Sequence, residues 1–232
     1  MTAPLCLLTR PKAQSYEFAA ELSGIDCLIS PVIRIEPVSF DRDLADQAAD
    51  LVFTSANAVT FAGPGQGRRA LCVGPGTAGA AHKAGFDVTT GPGDAGGLIP
   101  LLEGRGDWLH LHGRYRARAL PVPGLVVYDQ VVQELNSAAW DVLAGSRGVI
   151  LPLFSPRSAT LLSNALTQAG MVSAPIAAVA ISARADKAYS GPAVLRMIAA
   201  QPDRAGMVQA IKAAYSSERS GFPWVEAVRG GR

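Results

Sequence analysis

Charged residues are scarce. Asp, Glu, Lys and Arg make up 17% of the 232 residues, and 21 basic against 19 acidic side chains leave a net charge of +2; an average soluble chain carries roughly a quarter. With 49% hydrophobic residues, such a chain is neither disordered nor equipped with a basic arm, and no bulk field recruits nucleic acid or an anionic membrane. Aromatic residues, at 6%, provide no row of stacking platforms for single strands. Cysteine is rarer still. Cys6, Cys27 and Cys72 are odd in number and widely spaced, which excludes a disulfide framework and a metal-ligand spacing and suits a reducing compartment. No apolar run reaches the roughly 18 residues of a spanning helix. The opening MTAPLCLLTRPK places its basic residues after the apolar stretch, the reverse of a secretory signal, so the expected location is the cytoplasm.

Turn formers are plentiful, with 24 Gly and 16 Pro, and between them short apolar runs alternate with helical spacing. LCLLT (5–9) reads as a buried strand, and residues 12–23 as a helix with Phe18, Ala19 and Leu22 on one face, stopped by Gly24. Residues 25–38 read as extended chain, because Pro31 and Pro37 forbid a helix. DLVFTS (50–55) and ALCVG (70–74) are further strands, each followed by a helical stretch. Strand and helix alternating in this way imply an α/β fold with a mostly parallel sheet.

The pattern repeats. With Ser55 placed over Ser155, FTSANAVTF faces LFSPRSATL; CVGPGTAGA falls over AISARADKA, and PGDAGGLIPLL over PDRAGMVQAI. Gly24 to Val32 likewise falls over Gly124 to Val132. Two copies of one α/β unit, each of roughly a hundred residues, are expected, within the one to two domains that the length allows. Two such units would enclose a cleft. Its walls would be the loops after the strands, where helix N-termini offer N–H groups to anions. Those loops are Thr54–Asn57, Gly74–Thr77, Phe154–Arg157 and Ser182–Arg184. Their Ser, Thr and Asn are also ordinary helix caps, and the two roles are compatible.

Other motifs are weaker. Gly74, Gly76 and Gly79 match a dinucleotide fingerprint with Asp94 downstream, but they lie mid-chain and have no counterpart in the second copy. His110 and His112 share a strand face without a third metal ligand nearby, and read as edge-of-strand histidines rather than metal ligands. Arg114, Arg116 and Arg118 read either as a solvated basic helix start or as contacts to a polyanion. Tyr128 follows the apolar GLVV where the first copy has Leu28, and reads either as a half-buried strand tyrosine or as a functional phenol.

In order along the chain, LTRP with Arg10, the extended Pro31–Pro37 segment, ADLVFTSANAV (49–59) and CVGPGTA (72–78) come first. Gly113, Arg118–Leu120, V-Y at Tyr128, FSP (154–156) and AIS (180–182) follow. This ordered set resembles the uroporphyrinogen-III synthase family over about residues 5–215; the tail from Ser216 on matches nothing in it. The resemblance implies two similar Rossmann- or flavodoxin-like α/β domains with mostly parallel sheets, joined by two extended strands, with the ligand cleft between them. Residues 36–127 would form the inserted domain, and 1–34 with 130–232 the discontinuous one. It further implies a lyase, without metal or other cofactor, that closes hydroxymethylbilane to uroporphyrinogen III in heme biosynthesis. Tyr128 would assist the departing hydroxyl. Arg10, Thr54, Ser55, Asn57, Gly74, Thr77, Arg118, Ser155, Ser158 and Ser182 would hold the substrate. A cytoplasmic monomer is expected, with no nucleic-acid or membrane partner and with transient docking of the preceding pathway enzyme. A non-catalytic module for a small polyanion would use the same residues. This chain departs from the family pattern at the short GPGQGRR joint (63–69), at Pro152 within ILPLFSP, and at Arg184 and Asp186.

Overall fold

A computed structural model describes residues 3–219, leaving 1–2 and 220–232, the end of the unmatched tail, outside. The chain begins β1 (Leu5–Leu8), α1 (Lys12–Ala19), β2 (Cys27–Ile29), β3 (Ile33–Pro37), α2 (Arg42–Gln47), β4 (Asp50–Phe53) and α3 (Ala56–Val59). It continues β5 (Arg69–Cys72), α4 (Pro75–Lys83), β6 (Asp87–Thr90), α5 (Ala95–Leu102), β7 (Leu109–Gly113) and β8 (Gly124–Val132). The remainder is α6 (Ser137–Ala144), β9 (Val149–Leu153), α7 (Pro156–Ala169), β10 (Ile176–Ala180), α8 (Ala183–Lys187), β11 (Leu195–Ile198) and α9 (Arg204–Arg219). Two compact units divide this chain: Ile35–Val131 forms one, and the stretches before and after it form the other.

The discontinuous unit has a sheet ordered β11-β10-β9-β1-β2, with parallel pairing throughout. The inserted unit has the order β3-β8-β7-β4-β5-β6, and its ladders from β8 to β6 are parallel. The discontinuous unit follows the 2-1-3-4-5 arrangement of doubly wound sheets; the inserted one, apart from the added β3, reads 3-2-1-4-5 in its own chain order, the other doubly wound arrangement. The two repeats visible in the sequence are thus interleaved. β1 and β2 of the first copy join β9–β11 of the second, and β7 and β8 of the second join β4–β6 of the first.

Each sheet is an apolar layer covered by helices. In the discontinuous unit, Cys6, Leu8, Ile150 and Val179 pack against Phe18 of α1 and against Met207 and Ile211 of α9. Phe18 meets Phe154 edge to face, at 4.8 Å between centroids. In the inserted unit, odd and even residues of each strand serve opposite cores, as the period of two requires. Leu51, Phe53, Leu109 and Leu111 face α3 and α4. Val52 and Trp108 face Leu98 and Leu102 of α5. Burying each such side chain contributes about 1.5–3 kcal/mol.

The helix expected over residues 12–23 ends at Ala19, and Gly24 sits in the following turn at φ 79°. Pro152 does not interrupt β9. The β1 ladder stops at Ile150, so the missing N–H lies beyond the last rung on that side. The short 63–69 joint is a close approach of two backbones. Gly65 donates to Ala84 O at 2.7 Å, and a Cβ there would lie 2.3 Å from the Phe86 nitrogen. Arg68 then ties the joint down by donating to the carbonyls of Ala45 and Ala62, both at 2.9 Å.

Candidate active site

In a doubly wound sheet the ligand crevice opens at the carboxyl ends of the strands, where the strand order reverses. In the inserted unit the reversal falls between β4 and β7. Thr54 directly follows β4, and His110, His112 and Gly113 are the second, fourth and last residues of β7. Thr54 Oγ1 lies 3.0 Å from His110 Nε2, so one hydrogen bond spans the reversal. His112 Nδ1 donates to Gly113 O at 2.8 Å, which leaves its Nε2 lone pair 3.4 Å from Arg116 Nη1. The two imidazoles lie 4.7 Å apart. Both are buried, and β7 is interior to the sheet, not an edge. Periodicity reports the face of a strand and carries no information on its place in the sheet.

Burial, followed by the fields of His112 and Arg116, pushes His110 down to about 3. The ring is neutral in the folded protein, whereas an unfolded histidine titrates near 6.5. Between these values the unfolded chain binds a proton that the native one refuses. The contribution to stability is therefore full above pH ~6.5 and declines as the pH falls towards ~3. Urea unfolding is expected to lose about 2 kcal/mol more between pH ~7 and pH ~5 in the parent than in His110→Phe. Equal losses would contradict the buried neutral ring.

Tyr128 lies on the opposite face of the same sheet, inside β8 rather than after it. A bulge between His112 and Gly113 pairs Gly113 with Tyr128. The ring stacks on Phe61 at 5.8 Å, with planes 13° apart. It covers Gly113 so closely that a Cβ there would come within 2.6 Å of Cε2 and Cζ and 3.0 Å of the hydroxyl. Only 2% of the residue is exposed. The hydroxyl thus sits over the last residue of β7, without a hydrogen-bond partner among the described residues.

The expected donors fall into place as caps. Ser55 Oγ accepts from Asn57 N at 3.2 Å at the start of α3. Ser155 Oγ accepts from Ser158 N at 3.1 Å at the start of α7, and the two hydroxyls lie 2.8 Å apart. Ser182 Oγ accepts from Ala185 N at 3.3 Å at the start of α8. Gly74 is the N-cap of α4, and Thr77 is buried in its first turn. Asp94 caps α5 by accepting from Gly96 N and Gly97 N, at 2.7 and 3.1 Å, which removes the carboxylate required by a dinucleotide fingerprint.

Arg10 follows β1 at the other reversal, between β1 and β9. It lies 4.2 Å over the Phe154 ring and donates to Gln14 Oε1 at 3.0 Å. Burial, with the charge of Arg204, pushes it down to about 10, still a cation at neutral pH. The Arg114–Arg118 stretch is loop, not a helix start. Arg114 pairs with Asp129 at 3.0 Å, Arg116 faces His112, and exposed Arg118 lies beside Gly96 at the start of α5. Sequence reasoning missed the link between His110 and Thr54, which depends on strand order. Among the described residues no group of three or more His, Cys, Asp or Glu is placed to hold a metal ion, and no helix is long and apolar enough to cross a membrane.

Two interleaved, mostly parallel sheets with capped, hydroxyl-rich helix starts at both reversals define a duplicated doubly wound α/β protein. The crystal structure of uroporphyrinogen-III synthetase from Helicobacter pylori 26695 superposes with a TM-score of 0.59 at 16% identity, covering 92% of this chain and 100% of that one. A mutant uroporphyrinogen III synthase from the extremely thermophilic bacterium Thermus thermophilus gives 0.54 at 17% identity, with coverage of 92% and 100%. No curated protein matches. The family model HEM4, uroporphyrinogen-III synthase HemD, matches residues 14–209. The chain belongs to the uroporphyrinogen-III synthase family, lyases that cyclise hydroxymethylbilane in tetrapyrrole biosynthesis.

Proposed function

We propose that this chain closes hydroxymethylbilane with Tyr128 as the acid. The phenol protonates the departing hydroxyl, which leaves as water and produces an electrophilic azafulvene. Ring D attacks that carbon through its own substituted position. The resulting spiro intermediate fragments, and the ring recloses in the inverted sense with loss of a proton. Unaided closure runs without inversion, so the dominant contribution is holding the chain in a conformation that water does not favour. A positioned acid adds about 10²–10⁴ in rate.

The observation that carries this reading is the Tyr128 hydroxyl over Gly113, at the carboxyl end of β7 and without a partner among the described residues. The acetate and propionate arms of the substrate are met by Thr54, Ser55, Asn57 and Thr77, by the Gly74 backbone, by Ser155, Ser158 and Ser182, and by the guanidinium groups of Arg10 and Arg118. Arginine forks and helix N-termini both favour carboxylates. The enzyme works as a cytoplasmic monomer, docking transiently with the enzyme that supplies its substrate, and light scattering of the purified chain tests the monomer. The activity is tested by separating product isomers after incubation with hydroxymethylbilane. Uroporphyrinogen III is expected. Only the type I isomer, at the uncatalysed rate, would refute the function.

A further inference from the structure

His110 is the buried group that this mechanism leaves unused. Its residue is 1% exposed, its Nε2 is hydrogen-bonded to Thr54, and its Nδ1 is buried without a partner. Among the described residues no acidic side chain pairs with either nitrogen, and the titratable groups acting on the ring are His112 and the cation Arg116. The ring therefore carries one proton, on one nitrogen or the other. A buried N–H with no acceptor costs more than a buried lone pair with no donor, and orphan N–H groups are accordingly the rarer of the two. The proton belongs on Nε2, the nitrogen that has a partner. Nε2–H then donates to Thr54 Oγ1.

A hydroxyl has one proton to give. If Thr54 donated to the imidazole, it would present only lone pairs to the crevice, and these would repel a carboxylate. With the imidazole as donor, the Thr54 proton is free to point outward. We infer that His110 is a positioning residue: its Nε2–H, bonded to Thr54 across the strand-order reversal, commits the threonine hydroxyl to donating to a carboxylate of the substrate. This rests on the assignment of substrate above and extends it by fixing the direction of one contact. The Nδ1–H of His112, held by the Gly113 carbonyl, gives its neighbour the opposite tautomer, so the two rings are distinguishable.

The first test needs no turnover. Two-bond proton–nitrogen correlation of the labelled full-length protein at neutral pH is expected to show His110 neutral with the proton on Nε2; an Nδ1-protonated or charged ring would overturn the inference. The second test is kinetic. His110→Phe keeps an apolar ring but no donor, and is expected to raise KM for hydroxymethylbilane about three- to tenfold with kcat changed less than about twofold. His110→Gln places an amide N–H near the Nε2 position and is expected to restore most of the affinity. Thr54→Val raises KM similarly, and adding His110→Phe to it changes little further, because the two act through one hydroxyl. Multiplying effects, or a His110→Gln variant as poor as His110→Phe, would overturn the inference. If every variant, the parent included, makes no uroporphyrinogen III, the functional assignment fails instead, and the tautomer is still read from the spectrum.

Discussion

Tyr128→Phe is expected to fold like the parent and to form uroporphyrinogen III at least about tenfold more slowly, within the 10²–10⁴ range of general acids. The contacts that hold this side chain are ring contacts: the stack on Phe61 and the close cover over Gly113. Phenylalanine keeps them. The lost hydroxyl has no hydrogen-bond partner among the described residues, so removing it leaves no buried group unsatisfied and costs little stability. Initial rates with isomer separation, together with a thermal melt, check both halves. A variant with parental turnover would remove the acid role and leave Tyr128 as a wall of the site.

Gly113→Ala is expected to damage both stability and turnover. The added methyl would lie 2.6 Å from two ring carbons of Tyr128, well inside van der Waals contact. Either the ring moves or β7 and β8 part at the bulge. Overpacking of this kind costs about 1–3 kcal/mol. A displaced ring carries its hydroxyl with it, so turnover should fall about as far as in Tyr128→Phe. The combination separates the two effects. In the Tyr128→Phe background the clash persists, because the ring carbons remain, and the stability loss is expected in full. The further loss of turnover is expected to be small, because the hydroxyl is already gone. Unfolding by urea and initial rates measure these separately, and a Gly113→Ala protein indistinguishable from the parent would mean that the ring does not cover this residue.

The alternation of strand and helix was legible because each element has its own period and its own punctuation. Ser55, Ser155 and Ser182 could be placed at helix starts because a hydroxyl before a helical stretch has one dominant local use. The repeat was legible for the same reason: both copies keep their caps in register. What stayed hidden depends on long-range pairing. The period of two puts His110 and His112 on one face, but not beside Thr54, since β4 and β8 flank β7 from opposite ends of the inserted unit's sequence. Tyr128 was read as following a strand, because nothing local reveals that Asp129 to Val132 continue β8. Arg114 lies in a loop rather than at a helix start, and its ion pair with Asp129, fifteen residues away in the chain, has no local signature.

Because β1 lies between β2 and β9 and only β2 is near it in sequence, the order in which a ribosome releases this chain matters. Once Val131 has emerged, every strand from β4 to β8 is present and the central segment can settle at once. The opening strand, made earliest, must then stay unpaired on that side until residues near Val149 appear. At about 5–20 residues per second, it waits for several seconds with one edge open and with the partners that Cys6 and Leu8 find in Ile150 and Val179 still to come. Nascent chains halted shortly after Val132 should accordingly carry a protease-resistant middle and a cleavable front, and the front should be the portion that chaperones hold.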